Sequence, residues 1–366
     1  MNDAPQEIDP DPEDASPVVG PSRPRLLGVL GPGLITGASD DDPSGIATYS
    51  QAGAQYGYSL AWTLLLTYPP MCAVQMIAAR VGRTTGHGIA GVLRRHYPHW
   101  LLQLLVCLLV VANTINLGAD FGAMADAFTL ILPGPPKWLL IVLFAATCIY
   151  VQVFLQYTRY VAVLKWLTLV LFAYFAAVMT THVDWTALGA GLVWPRLQWD
   201  KAFLTTVVAV FGTTISPYLF FWQAAEALRP IAGEFAFLVF AIGIIGTGAL
   251  AVPVPAGSAA YALGEARQWP VGFSRKWQEA KAFYATVALA TLVGMVINFT
   301  EIDPIKALYW SAVINGVSAA PVLVTMMLIA RRRDIMGAFT IGRTLTVLGW
   351  AASVLMAMTI VAMVVL

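Results

Sequence analysis

Charge is what this sequence has least of. Aspartate, glutamate, lysine and arginine make up 11% of the 366 residues, against 58% that are apolar. Soluble chains run nearer a quarter charged, so a water-soluble enzyme of this size is excluded. The shortage is sharper than the total suggests. Six of the twenty acids (Asp3, Glu7, Asp9, Asp11, Glu13 and Asp14) crowd into the first residues.

Other absences narrow the field further. A net charge of +1 with no basic patch gives nucleic acid nothing to bind. Cys72, Cys107 and Cys148 lack a Cys-x-x-Cys spacing, and each lies in an apolar run. They read as small buried hydrophobes and not as a disulfide or zinc set. His87, His96, His99 and His182 all fall in expected loops, so no span offers an imidazole relay. There is no Gly-rich phosphate loop, no histidine pair at metal spacing and no Ser-His-Asp set, so no enzyme chemistry and no cofactor are expected. The N-terminus lacks a basic region followed by an apolar core, so it does not read as a cleaved signal peptide.

What is abundant is apolar length. Runs long enough to span a bilayer, at about 20 residues each, lie near 26–50, 57–80, 100–131, 137–157, 160–181, 202–223, 233–263, 280–299, 305–330 and 343–366. These predict an all-α, polytopic membrane protein with about ten spans. Residues 1–22, acidic and Pro-rich, are expected to form a disordered tail, and 23–366 one transmembrane domain. The bilayer is its first partner, and twelve tryptophans suit interfacial belts.

Loop charge tests the topology. With the N-terminus in the cytoplasm, Arg80, Arg83, Arg94, Arg95, Arg159 and Lys165 fall inside, and the first half obeys the rule. In the second half, Arg267, Arg275, Lys276 and Lys281, then Arg331 to Arg333, fall outside if 233–263 crosses once. One further span between about 224 and 232 would repair every violation. Alternatively, 231–263, broken by Pro253 and Pro255, crosses and partly re-enters. The first explanation is the expectation here: one helix is missing.

Two spans carry devices that membrane helices avoid. The first reads Gly31-Pro32-Gly33 and then Ser39-Asp40-Asp41-Asp42-Pro43-Ser44-Gly45. Each intramembrane carboxylate costs about 2.5–3.5 kcal/mol on insertion scales. Such a stretch is tolerated only where it unwinds beside a cavity, and there its carboxylates and freed carbonyls make an oxygen-rich cation site. The sixth span reads Gly212-Thr213-Thr214-Ile215-Ser216-Pro217-Tyr218 and reaches Trp222-Gln223. A lone proline is commonly just a kink, and Asp40 to Asp42 also fit an extracellular loop. Paired breaks at corresponding places in two halves, however, mark a transporter's central site.

At these residues the sequence resembles the NRAMP family of divalent-metal transporters. Gly31-Pro32-Gly33 followed by Asp42-Pro43-Ser44-Gly45 is similar to that family's first-helix motif. Gln55-Tyr56-Gly57-Tyr58, the stretch Gln75 to Gly82 and Thr85-Gly86 are similar to its second helix and following loop. The resemblance implies a LeuT-like inverted repeat with broken first and sixth helices, normally eleven spans, and a divalent cation as substrate. The family's transition-metal branch ligates its ion with Asp and Asn of the first helix and Met of the sixth. Here the Asp is Asp42, the Asn is replaced by Gly45, the Met by Ser216 and the following His by Tyr218. That pattern resembles the family's magnesium-transporting branch. A thioether favours softer ions, whereas carboxylate, hydroxyl and carbonyl oxygens suit Mg²⁺, which keeps several waters and needs room.

The expected metal residues are therefore Asp42, Ser216, Gly45, Tyr218 and Thr214, with Asp40, Asp41, Asn116, Asp120, Gln223 and Asn315 in a vestibule or gate. Asp120 fits either a relay acid or a buried structural group. Asn315, Gly316 and Pro321 fit a gate or helix packing equally well, and Gly243, Gly246 and Gly248 suit close helix contact. The resemblance implies uncoupled Mg²⁺ uptake, with Mn²⁺ as a further cargo, through the cell membrane. A potential of roughly 100 mV supplies about 4.6 kcal/mol to a dication. The competing readings are a proton-coupled Mn²⁺/Fe²⁺ carrier, a sodium-coupled solute symporter and a non-transporting remnant.

Overall fold

The computed structural model describes residues 42–132, 134–155, 184–214, 247–249, 251–300 and 304–365. Every regular element among them is helical: α1 (Pro43–Tyr56), α2 (Trp62–Thr85), α3 (Ile89–His96), α4 (His99–Ile131), α5 (Lys137–Phe154), α6 (Trp185–Val193), α7 (Lys201–Thr214), α8 (Pro253–Arg267), α9 (Lys281–Ile297), α10 (Pro304–Arg331), α11 (Arg333–Met336) and α12 (Arg343–Val365). Five of these, α2, α4, α5, α10 and α12, are long and apolar enough to cross a membrane, and α7 and α9 are shorter apolar helices. The acidic tail, the expected span at 160–181 and the join at 224–232 lie outside the described residues.

Prolines and lysines set most helix starts. Pro98 and Pro136, in extended conformation, cap α4 and α5, and Pro43 occupies the first turn of α1, where its missing N–H costs nothing. Pro253 and Pro255 do not force the chain to turn back. Helical bonds from Val252 N to Gly248 O (2.8 Å) and from Ala256 N to Val252 O (3.3 Å) run on either side of them. The helix then continues to Arg267.

Two boundaries differ from expectation. The linker expected at 51–56 is helical, because α1 runs to Tyr56. The second span is shifted to Trp62–Thr85, because Gly57, at a φ of 55° that suits glycine, ends α1 and a 3-10 turn takes Gly57–Leu60. Gly191 of α6 packs its backbone on the Tyr58 carbonyl of that turn.

Glycines bring the central helices together. Gly118 of α4 faces Gly294 of α9, where a Cβ would lie 2.5 Å from the Gly294 carbonyl. Gly212 of α7 and Gly316 of α10 meet so closely that a Cβ on either would strike the other helix's backbone. Gly316 is thus a packing residue, as is Gly248, whose Cβ would meet Met124 at 2.6 Å. Small residues let helix backbones approach where lipid supplies no hydrophobic drive between helices.

Outward faces are apolar as well. Cys107 is exposed and not buried, and Cys72 and Cys148 are only half-buried. Apolar character cannot separate a lipid-facing side from a core-facing one. Trp194 and Trp199 are more than two-thirds exposed. Among the described residues, two histidines expected in loops are helical: His96 closes α3 and His99 opens α4. Arg332 pairs with Asp334 and lies over the Tyr97 ring.

Candidate metal centre

The centre is built around the start of α1. Asp42 is the N-cap of that helix, in extended conformation (φ −75°, ψ 166°). Its Oδ1 accepts from Ser44 Oγ at 2.6 Å and from Gly45 N at 2.8 Å. An aspartate before proline is a strong helix start, since the carboxylate satisfies amides that lack helical partners. Here the cap is 1% exposed and sits among packed spans.

The second carboxylate oxygen reaches another helix. Asn116 of α4 donates from Nδ2 to Asp42 Oδ2 at 2.9 Å and, at 3.5 Å, to Asp120 Oδ2. Its Oδ1 accepts from Ser311 Oγ of α10 at 3.0 Å. One carboxamide thus ties α1, α4 and α10 together and stands between two carboxyl groups. Both Asp120 and Asn116 are fully buried, near the middle of a helix about 50 Å long at 1.5 Å per residue. Two carboxyl groups on one amide, far from water, are a charge arrangement that a divalent cation compensates.

α7 closes another side. A Cβ at Gly45 would lie 3.1 Å from Thr213 Oγ1. The volume left by the glycine is therefore partly taken up by a hydroxyl, and it is Thr213 that faces Gly45. Thr214, expected at the metal, bonds Tyr49 OH at 2.5 Å and the Val210 carbonyl at 2.7 Å. With Tyr56 packed edge-on to Phe203 at 5.3 Å, these contacts make α1 and α7 antiparallel. Two inverted units give their first helices this relationship.

Of the expected residues, Asp42, Gly45, Asn116 and Asp120 come together. Asn315 lies one turn from Ser311 on α10, buried, and neither of its polar atoms has a hydrogen-bond partner among the described residues. Asp40, Asp41, Ser216, Tyr218 and Gln223 lie outside the described residues. Ser44, Thr213 and Ser311 were not singled out from sequence. Ser44 had a signal in its place between Asp42-Pro43 and Gly45. Ser311 had none, because its role depends on which helix α10 meets. Among the described residues no three His, Cys, Asp or Glu side chains converge.

The family model for natural resistance-associated macrophage protein-like (Nramp) sequences matches residues 33–225 and 222–366. The chain belongs to the Nramp family. A curated relative, the divalent metal cation transporter MntH of Deinococcus radiodurans, is 26% identical over 405 residues, covering 90% of this chain and 88% of that protein. The manganese transporter of Eremococcus coleocola, solved in complex with an aromatic bis-isothiourea substituted compound, superposes with a TM-score of 0.72. It is 14% identical, with 91% of this chain and 85% of that one covered. A mutant form of the same transporter gives a TM-score of 0.71. The fold of this Nramp chain is accordingly the LeuT-like inverted repeat of a multi-pass membrane protein, and the antiparallel α1 and α7 stand where such a repeat has its two related helices.

Proposed function

We propose that this Nramp protein carries divalent cations across the cell membrane, with Mg²⁺ as its main cargo and Mn²⁺ as a second, and without a coupled proton. The carrying observation is the Asp42 carboxylate, buried at mid-bundle and held by Asn116 of a second helix at 2.9 Å. The names of its relatives support divalent cation transport. The groups that meet at Asp42 support the choice of Mg²⁺: its own carboxylate, the Ser44 hydroxyl and the Asn116 carboxamide are hard groups, and none of the three is a thioether. Ser216 and Tyr218, which follow Thr213 by three and five residues, complete the shell in this reading. The N-terminus is cytoplasmic.

The reading includes a shortened second half. The two family-model stretches meet at residues 222–225. The alignment with the MntH relative runs over 405 residues, more than the 366 of the whole chain, of which only 90% takes part. Both support a segment lost near residue 225, where loop charge calls for one more span.

Purified protein in liposomes loaded with a Mg²⁺-sensitive dye tests the proposal. Uptake driven by an inside-negative potential is expected, and wild-type liposomes that stay silent would favour the remnant reading. A second reading, proton-coupled Mn²⁺ transport, draws on the manganese transporter structures and on Asp120 beside Asn116. Acidification of the lumen during metal entry would establish it over the uncoupled one.

A further inference from the structure

We infer that Asn113 and Asn315 form a second polar station beside Asp42, which holds the arriving or departing dication through its water shell. The inference rests on the proposed function and deepens it.

The placement follows from contacts on three helices. Asn116 of α4 meets Ser311 of α10, and Ala119 and Ala123 of α4 pack with Leu308 of α10. The two helices are therefore antiparallel. Ala47 of α1 joins that same alanine-leucine cluster, so α1 fills the space on that side of Asp42. On the opposite side, one turn from the Asn116–Ser311 bond, stand Asn113 on α4 and Asn315 on α10. They share a level just beyond the N-terminus of α1.

Both are buried, at 0% and 1% exposure. Asn113 is fixed from behind: its Nδ2 donates to the Pro255 carbonyl of α8 at 2.9 Å and to Ser258 Oγ at 3.4 Å. Its Oδ1 has no partner among the described residues, and neither does Oδ1 or Nδ2 of Asn315. Three polar atoms at one level, all buried and none bonded, carry a desolvation cost that a visiting polar group removes. Two leucines would have avoided that cost.

The chemistry of the visitor follows from the atoms. Mg²⁺ sheds water reluctantly, and water bound to a dication donates strongly and needs acceptors. Carboxamide oxygens are neutral acceptors, so they take up hydration-shell protons without trapping the ion. Asp42, one turn away, supplies the charge that moves it on.

The test uses the full chain in detergent, reading thermal stabilisation against MgCl₂ and against hexaamminecobalt(III), whose six ammines do not exchange and which therefore binds only through its outer shell. Wild type should be stabilised by both. In Asn113→Leu and Asn315→Leu the Mg²⁺ midpoint should rise about tenfold and the hexaamminecobalt(III) response should vanish, as the loss of a hydrogen bond to a charged group predicts. Asn315→Asp, which keeps the shape and adds charge, should lower the midpoint. If both leucine variants respond like wild type, or melt earlier without metal yet keep the wild-type midpoint, the station is overturned and the two amides merely share a structural water. Loss of the response in Asp42→Asn alone would overturn the station and leave the proposed function standing. A wild type that answers to neither cation would overturn both.

Discussion

Asn298 reaches back 180 residues to hold the Gly118 carbonyl, with Nδ2 at 2.7 Å. The bond crosses from the end of α9 to the middle of α4 at the point where Gly118 and Gly294 bring the two backbones together. Alanine at Gly118 would press on a carbonyl oxygen, which cannot give way as a side chain can. Gly118→Ala is expected to cost about 1–3 kcal/mol, and Asn298→Ala about 1 kcal/mol. Denaturation midpoints in detergent check both, and the glycine variant should be the less stable of the two.

Asp42 combines a cap with a charge, and substitution separates them. Asparagine caps helices as well as aspartate does, whereas alanine loses about 1 kcal/mol. Asp42→Asn should therefore keep the start of α1 but lose the bond from Asn116, at a cost of about 1–3 kcal/mol, while Mg²⁺ uptake falls at least about tenfold. Asp42→Ala should lose both. Uptake and melting measured on the same preparations distinguish the two contributions, and full uptake by Asp42→Asn would remove Asp42 from the site.

Glu265 of α8 performs a similar service for α3. Its Oε1 accepts from Gly88 N at 2.8 Å and its Oε2 from Gly91 N at 2.9 Å. A Cβ at Gly88 would overlap this carboxylate, so a side chain there would push Glu265 away from the two amides it holds. Glu265→Ala should cost about 1–2 kcal/mol. In hydrogen exchange, the amides at 88–92 should lose protection first, before those of α2 or α4.

At the surface, Asp184 caps α6, and the Thr186 hydroxyl, then the Ala187 amide, hold its carboxyl below the usual carboxylate range. A carboxyl whose folded value is depressed lends its stability above the unfolded value and loses it as pH falls through the folded one. The start of α6 should thus be ordered at neutral pH and fray in acid. Exchange rates at Thr186 and Ala187 report it. Thr186→Ala should move the fraying to higher pH.

The sequence shows the fold most clearly where an apolar run meets a stop. Pro98, Pro136, Lys281 and Arg343 bound runs that became α4, α5, α9 and α12 within a few residues. The start at Asp42-Pro43 was legible because cap and proline are both local signals. The second span was misplaced because hydropathy does not register a 3-10 turn inside a continuous apolar stretch. Cys107 was misread because lipid and core reward the same side chains. In the site, Asp42 and Asn116 stood out as polar groups out of place. Thr213, Ser311 and Asn113 did not, because hydroxyl and amide residues in spans often just bond their own helix. Only the packing of α7 and α10 against α1 and α4, and of α8 against α4, gives them a different task.

The short connection after α1 bears on how such a carrier moves. Only the 3-10 turn and Ala61 separate α1 from α2, and Gly191 of α6 rests on that turn. A tilt of α1 about the ion would therefore be passed to α2 and α6 as to parts of one lever. The stroke that releases cargo should register far from it, as a changed distance between labels on α6 and on the Arg343 end of α12.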